Sequence, residues 1–127
     1  MSFRLASAHA QRILIVDDEP ALLEALRAAL KRAGHEVVAC RTFEDAREQL
    51  LTEDFDALIT DVRLGAFNGI QLAVIARDQS RDMRIVVFSG YDDPVLRTEA
   101  ARLGGTFLLK PISAEALLEE IAGHPQR

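Results

Sequence analysis

Five polar side chains follow apolar runs of the sequence and have the types that phosphoryl-transfer chemistry needs. They are three carboxylates, one hydroxyl and one ammonium group: Asp17, Asp18, Asp61, Ser89 and Lys110. Three carboxylates in a small space repel one another, and one lysine does not neutralise them. Mg²⁺ would, because it prefers oxygen ligands and often completes its shell with phosphate oxygens. A carboxylate can attack phosphorus while a metal, a lysine and a hydroxyl neutralise the phosphoryl oxygens, so the set predicts aspartyl phosphate chemistry.

The apolar runs before these residues indicate five buried β-strands. They are aliphatic and β-branched with little alternation, as strands covered on both faces are, and they begin at Ile13, Val37, Ala57, Ile85 and Thr106. Helical patterns lie between them: Pro20–Ala33, Thr42 to about Leu51, Gly69 to about Ser80, Pro94–Leu103 and a last helix capped by Ser113. Alternating strands and helices predict a parallel sheet sandwiched by helices.

The polar residues all fall where a ligand would bind in such a sheet. Ligands of open parallel sheets bind outside the carboxyl ends of the strands. Four of the five predicted strands end in a member of the set, whereas the second ends in Arg41 and Thr42. Each residue alone is common in turns and helix caps, and Asp61 by itself would only mark the end of its strand. Their convergence on one edge favours a functional site.

The composition is that of a single globular domain. The chain has 127 residues, of which 49% are hydrophobic and 28% charged, and a net charge of −5 predicts no direct binding of nucleic acid. The single cysteine, Cys40, lies in an apolar stretch, which predicts a buried thiol and a reducing compartment. No run approaches the roughly 20 apolar residues of a membrane span and no signal peptide is seen, so we predict a cytoplasmic protein without a membrane partner.

The domain is predicted to occupy residues 12–123, between a flexible leader (1–11) and a short tail (124–127). The three histidines, His9, His35 and His124, are interpreted as surface residues, because none is placed to donate a phosphoryl group or bind a metal.

In order and spacing, the motifs DDEP, TD, SG and KP resemble the receiver domain of two-component response regulators. The resemblance extends from about Arg12 to Ile121. It implies an α/β fold of the flavodoxin-like (βα)5 type, a doubly wound sandwich with a parallel five-stranded sheet of strand order 2-1-3-4-5. It also implies a stand-alone signalling module, which is not an enzyme apart from catalysing its own phosphoryl transfer and dephosphorylation.

The resemblance implies a role for each polar residue. Asp61 would accept the phosphoryl group from the phosphohistidine of a histidine kinase or histidine phosphotransfer protein. Asp18 and Asp61 would ligate Mg²⁺ directly, the backbone carbonyl of Arg63 would complete the protein ligands, and Asp17 would act through a water. Lys110 would pair with the phosphoryl group.

The switch is implied to involve Ser89 and Phe107. Ser89 would move its hydroxyl toward the phosphate, and Phe107 would rotate into the space vacated, although an aromatic residue in a strand also fits a plain core role. The face formed by the fourth helix, the fifth strand and the fifth helix would present the change to a downstream protein target. A second copy of the chain is also an expected partner, in a phosphorylation-dependent homodimer. The Lys110–Pro111 bond is usually cis in the family.

The loop after Asp61 departs from the family pattern. Leu64, Asn68 and Gly69 fit it, but Gly65 replaces a proline, so we expect a loop with more freedom. Arg63 and Tyr91 each lie two residues beyond a site residue. We hypothesise that they overhang the acyl phosphate and restrict attacking water, the alternative for Arg63 being a solvent-facing side chain.

Three other functions compete with the stand-alone module. The first alternative is a receiver fragment of a larger response regulator or hybrid kinase. Haloacid dehalogenase phosphohydrolases also use an aspartyl phosphate, but their nucleophile follows the first strand in an Asp-x-Asp motif, where this chain reads DDEP. A binding scaffold with vestigial phosphorylation is disfavoured by the complete site.

Overall fold

Residues 10–122, which the computed structural model describes, form a five-stranded parallel sheet between five helices. The strands are β1 (Arg12–Val16), β2 (Glu36–Cys40), β3 (Ala57–Asp61), β4 (Arg84–Ser89) and β5 (Thr106–Leu109). The helices are α1 (Pro20–Arg32), α2 (Phe43–Thr52), α3 (Gly69–Gln79), α4 (Pro94–Arg102) and α5 (Ala114–Ala122). The predicted leader and tail fall largely outside the described residues, as do His9 and His124.

The sheet has the order β2-β1-β3-β4-β5, which confirms the predicted flavodoxin-like topology. One face packs against α1 and α5 through a mainly aliphatic cluster that includes Leu26 and Leu117. The opposite face packs against α2, α3 and α4 through a second cluster that includes Leu50 and Leu72. Every residue of β3 is buried, as expected of a central strand covered on both faces.

The helix starts follow from local side-chain chemistry. The hydroxyl of Thr42 accepts a hydrogen bond from the Asp45 N–H at 3.1 Å, and that of Ser113 accepts one from the Ala116 N–H at 3.0 Å, so both predicted caps are confirmed.

The thiol of Cys40 is buried as predicted, and burial raises its pKa to about 11, so it stays protonated at neutral pH. Among residues 10–122, no helix has the length and apolarity that crossing a bilayer requires.

The two ends of the described region meet at the amino edge of the sheet. Nε2 of Gln11 donates a hydrogen bond to the carbonyl oxygen of Ile121 at 2.6 Å. The N–H of Gln11 donates to Nδ1 of His35 at 3.0 Å. His35 is half-buried, so its interpretation as a plain surface residue is wrong: the ring holds the first described residues against the turn before β2.

An unpredicted two-stranded antiparallel ribbon, Arg63–Leu64 with Phe67–Asn68, projects between β3 and α3. Gly65 opens its turn with φ 62°, a left-handed conformation that favours glycine. The replacement of proline therefore shapes a specific turn rather than only loosening the loop. At the other end of the turn, the ring of Phe67 stacks on that of Phe43 at the start of α2, with centroids 4.5 Å apart and planes 12° apart.

Candidate functional site

The carboxyl edge of the sheet brings the predicted site residues together. Asp17 follows β1, Asp61 ends β3, Ser89 ends β4 and Lys110 follows β5. The strands are parallel and in register, so these ends lie side by side. The Lys110 N–H donates to the Ser89 carbonyl oxygen at 2.8 Å, which extends the β4–β5 ladder into the site.

The three carboxylates form one cluster, in which an oxygen of each lies within 4.8 Å of an oxygen of the others. Asp17 is completely buried and Asp61 is 5% exposed, whereas Asp18 is exposed. The cluster therefore has two fixed, desolvated members and one at the solvent side.

Lys110 supplies the positive charge nearest this cluster. Its Nζ donates a hydrogen bond to Oδ2 of Asp61 at 3.1 Å and lies 3.6 Å from Oδ2 of Asp17. Burial alone would lower the pKa of Lys110, but the hydrogen bond to Asp61 and the charges of Asp61 and Asp17 outweigh it and raise the pKa. The ammonium group is therefore charged at physiological pH.

Asp17 has a buried oxygen that lacks a hydrogen-bond donor. Its Oδ1 accepts a hydrogen bond from the Glu19 N–H at 2.8 Å, while Oδ2 has no hydrogen-bond partner among the described residues. Burial raises the pKa of Asp17, and the neighbouring charges of Asp61 and Asp18 raise it further, against the Glu19 hydrogen bond and Lys110. An unsatisfied buried carboxylate oxygen is costly, and a divalent cation or its bound water would satisfy it. The cluster thus fits Mg²⁺ in its donor type, charge and arrangement.

The chain around Asp61 fixes the direction of its carboxylate. Oδ1 accepts a hydrogen bond from the Arg63 N–H at 3.2 Å, and Oδ2 accepts the bond from Lys110. Helix α3 begins directly against this segment, where a side chain on Gly69 would collide with the Asp61 carbonyl oxygen. The Gly69 N–H also donates to the Val62 carbonyl oxygen at 2.6 Å. Close approach of helix and strand therefore holds the Asp61 backbone.

A recess of about 250 Å³ opens above Asp61 and is lined by Asp18, Asp61, Arg63, Ser89, Gly90, Tyr91 and Lys110. The guanidinium of Arg63 lies over the Tyr91 ring at its side. Both side chains are exposed to solvent. Arg63 therefore faces solvent and also contacts Tyr91, which lines the same recess.

The two predicted switch residues lie on neighbouring strands. Ser89 is 4% exposed, and its Oγ accepts a hydrogen bond from the Tyr91 N–H at 3.1 Å. Phe107 is half-buried and packs against the core cluster beneath α4, while the Arg97 guanidinium lies 4.7 Å from its ring centroid. Sequence reasoning missed this arginine, since nine residues separate it from Phe107 and the two belong to different elements. The Lys110–Pro111 bond is cis, as the resemblance implied.

The sequence matches characterised proteins over almost its whole described length. Residues 13–122 match the response regulator receiver domain family. The response regulator protein FleR of Pseudomonas aeruginosa is 35% identical over 116 residues, which are 91% of this chain and 24% of FleR. The chain therefore spans about a quarter of this relative's length.

Solved structures show the same fold. A CheY-like response regulator receiver domain protein from Methanospirillum hungatei aligns with a TM-score of 0.82 and 27% identity, over 88% of this chain and 90% of that one. A response regulator from Burkholderia pseudomallei, solved with a phosphorylated aspartic acid, a calcium ion and citrate, aligns with a TM-score of 0.81 and 27% identity. That alignment covers 87% of this chain and 66% of the other.

Proposed function

This chain belongs to the response regulator receiver domain family, and from that premise we propose that it is a phosphoacceptor domain that receives its phosphoryl group on Asp61. The donor is the phosphohistidine of a histidine kinase or a histidine phosphotransfer protein. The observation that carries the proposal is the meeting of three carboxylates with Lys110 at one edge of the sheet, beneath an open recess. This arrangement supplies a nucleophile, a cation site and a counter-charge together.

In the proposed reaction, an Asp61 carboxylate oxygen forms a bond to phosphorus as the phosphorus–nitrogen bond to the donor imidazole breaks. The imidazole leaves with the electron pair of that bond. Lys110 lies within hydrogen-bonding distance of Asp61 and offsets the negative charge of the phosphoryl oxygens. Asp17, Asp18, Asp61 and the backbone carbonyl of Arg63 would hold Mg²⁺, which when bound supplies further positive charge to those oxygens.

The phosphoryl group would then change the population of conformers. It adds a charge of roughly −1.5 to −2 and strong acceptor oxygens, so a conformer that places donors on those oxygens gains population. Ser89 donates its hydroxyl in that conformer, and Phe107 turns inward. The α4-β5-α5 face then presents a different surface to a downstream protein or to a second copy of the chain.

Intact mass spectrometry tests the acceptor directly. The protein is incubated with phosphoramidate, a small donor with a phosphorus–nitrogen bond, and Mg²⁺. We expect one phosphoryl adduct in the wild type, none in Asp61→Asn, and an adduct again in Asp78→Asn, a matched control at an exposed carboxylate on α3. An adduct retained by Asp61→Asn, or none in the wild type, would contradict the proposal.

A further inference from the structure

Arg97, in the first turns of α4, contacts two different parts of the predicted switch. Its guanidinium lies over the ring of Phe107 on β5, 4.7 Å from the centroid. Its Nε donates a hydrogen bond to Oδ1 of Asp92 at 2.5 Å. Asp92 lies three residues after Ser89, in the loop that joins β4 to α4. One side chain therefore joins the loop that carries the predicted hydroxyl donor to the predicted rotating aromatic.

We infer that Arg97 is a positioning residue that restrains both switch elements in the arrangement of the unphosphorylated protein. The inference rests on the proposed function, since it concerns the response of the same site. In the proposed switch, Ser89 moves toward the phosphoryl group and Phe107 turns inward, and the second movement would take the ring away from the guanidinium that now lies over it. An interaction made in only one of two conformers shifts the equilibrium toward that conformer.

Hydrogen bonds at the start of α4 hold the backbone of Arg97 in place. Oδ1 of Asp93 accepts a hydrogen bond from the Val95 N–H at 2.9 Å and caps α4, while the Arg97 N–H donates to the Asp93 carbonyl oxygen at 3.1 Å. Pro94 occupies the first turn of the helix. With its backbone held in this way, Arg97 reaches the loop on one side and the β5 aromatic on the other.

The charges of the pair are maintained at physiological pH. The hydrogen bond from Arg97 lowers the pKa of the Asp92 carboxyl, and the same bond raises the pKa of the Arg97 guanidinium. Both side chains are about half exposed, at 56% for Asp92 and 49% for Arg97, so each contact is weak and reversible. A weak restraint suits a switch, because the phosphoryl group can overcome it.

The test compares Arg97→Gln with the wild type and with Arg102→Gln, a matched control in the last turn of the same helix. Binding of beryllofluoride in the presence of Mg²⁺ is measured as a mimic of phosphorylation. We expect Arg97→Gln to bind about two- to five-fold more tightly, the size of a cation–π contact at an exposed site, and Arg102→Gln to match the wild type. Asp92→Asn keeps the contact with Phe107 and should show a smaller gain.

A second readout does not depend on binding at the site. In Arg97→Gln without any ligand, the NMR signals of the Phe107 ring should shift toward their positions in the beryllofluoride-bound wild type. Urea unfolding of each variant establishes that it is folded. Equal affinities and unshifted Phe107 signals, or weaker binding by Arg97→Gln, would overturn the inference. If the wild type binds no beryllofluoride and gains no phosphoryl group, the proposed function itself fails. If the wild type does both and either overturning result is found, the proposed function stands and the inference alone fails.

Discussion

The guanidinium carbon of Arg63 lies 5.2 Å from the centroid of the Tyr91 ring, so the loops after β3 and β4 touch beside the recess above Asp61. Each residue comes two positions after a site residue, Asp61 or Ser89, and both line that recess. A cation held over an aromatic ring is a weak contact at an exposed site. It nonetheless places two large side chains at the wall of the recess that Asp61 also lines.

The Arg63–Tyr91 pair is expected to slow the loss of the phosphoryl group. Arg63→Ala and Tyr91→Ala should each dephosphorylate about two- to five-fold faster, because each breaks the contact and opens the recess. Tyr91→Phe keeps the ring and should decay like the wild type. The rate is measured by intact mass after the donor is removed, and unchanged decay in both alanine variants would refute the idea.

Gly65→Pro should destabilise the protein, although proline is common at this position in the family. Gly65 has φ 62°, whereas proline is locked near −65°, so the ribbon turn could not form as it stands. We expect a loss of about 1–3 kcal/mol in the free energy of unfolding, measured by urea denaturation. Gly90→Ala is the control, because Gly90 has no positive φ and a Cβ added there would meet no atom within 4 Å. Stability equal to the wild type in Gly65→Pro would contradict the expectation.

The stacked rings of Phe43 and Phe67 should stabilise the ribbon as a pair. A double-mutant cycle of Phe43→Leu and Phe67→Leu is expected to give a coupling energy of about 0.5–1.5 kcal/mol. Phe67→Leu should also weaken Mg²⁺ binding in calorimetric titration, since the ribbon carries the Arg63 carbonyl, whereas the exposed Val74→Ala should not. If the changes in the free energy of unfolding are additive and the Mg²⁺ affinity of Phe67→Leu is unchanged, the stacked rings do not stabilise the ribbon or the site.

The half-buried His35 should make stability depend on pH. Burial lowers the pKa of His35 below its usual 6.5, and Nδ1 accepts the Gln11 hydrogen bond only while that nitrogen carries no proton. The unfolded chain therefore binds this proton more readily than the folded protein does, so the free energy of unfolding is highest above about pH 6.5. The free energy of unfolding falls as the pH drops below 6.5 and through the lower pKa that His35 has in the folded protein. We expect a loss of about 1 kcal/mol, the contribution of one hydrogen bond.

His35→Asn retains an acceptor at the matching position and does not titrate. The loss of stability between about pH 7 and pH 5 should therefore be smaller in His35→Asn than in the wild type, as measured by urea unfolding at a series of pH values. The same slope in both proteins would show that His35 does not carry the effect.

The buried elements could be predicted because their chemistry is local and repetitive. Ile13–Val16 and Ala57–Thr60 are uninterrupted apolar runs, which a strand covered on both faces requires, and the polar residues that follow them mark the ends. Because the carboxyl ends of parallel strands lie at one edge of the sheet, the meeting of Asp17, Asp61 and Lys110 could then be predicted as well. Burial of Cys40 followed from the same reasoning.

The features that were missed depend on tertiary placement. A strand of two residues, such as Phe67–Asn68, has no periodicity that a sequence could display. The contact of Arg97 with Phe107 arises only when α4 is laid beside β5, and that of His35 with Gln11 only when β1 and β2 pair. The contacts of partly exposed charged and aromatic side chains depend on which elements the fold brings together, and the local sequence does not specify this.

The hydrogen bond from Gln11 to the carbonyl of Ile121 has a practical consequence for rebuilding the molecule. Because the first and last described elements meet there, a short glycine linker could join them, and new ends could be opened in a surface turn such as that at Gly104. The resulting circular permutant would keep all five strands in place. A linker between Gln11 and Ile121 would lie at the amino edge of the sheet, opposite Asp61, and would leave the recess above Asp61 clear.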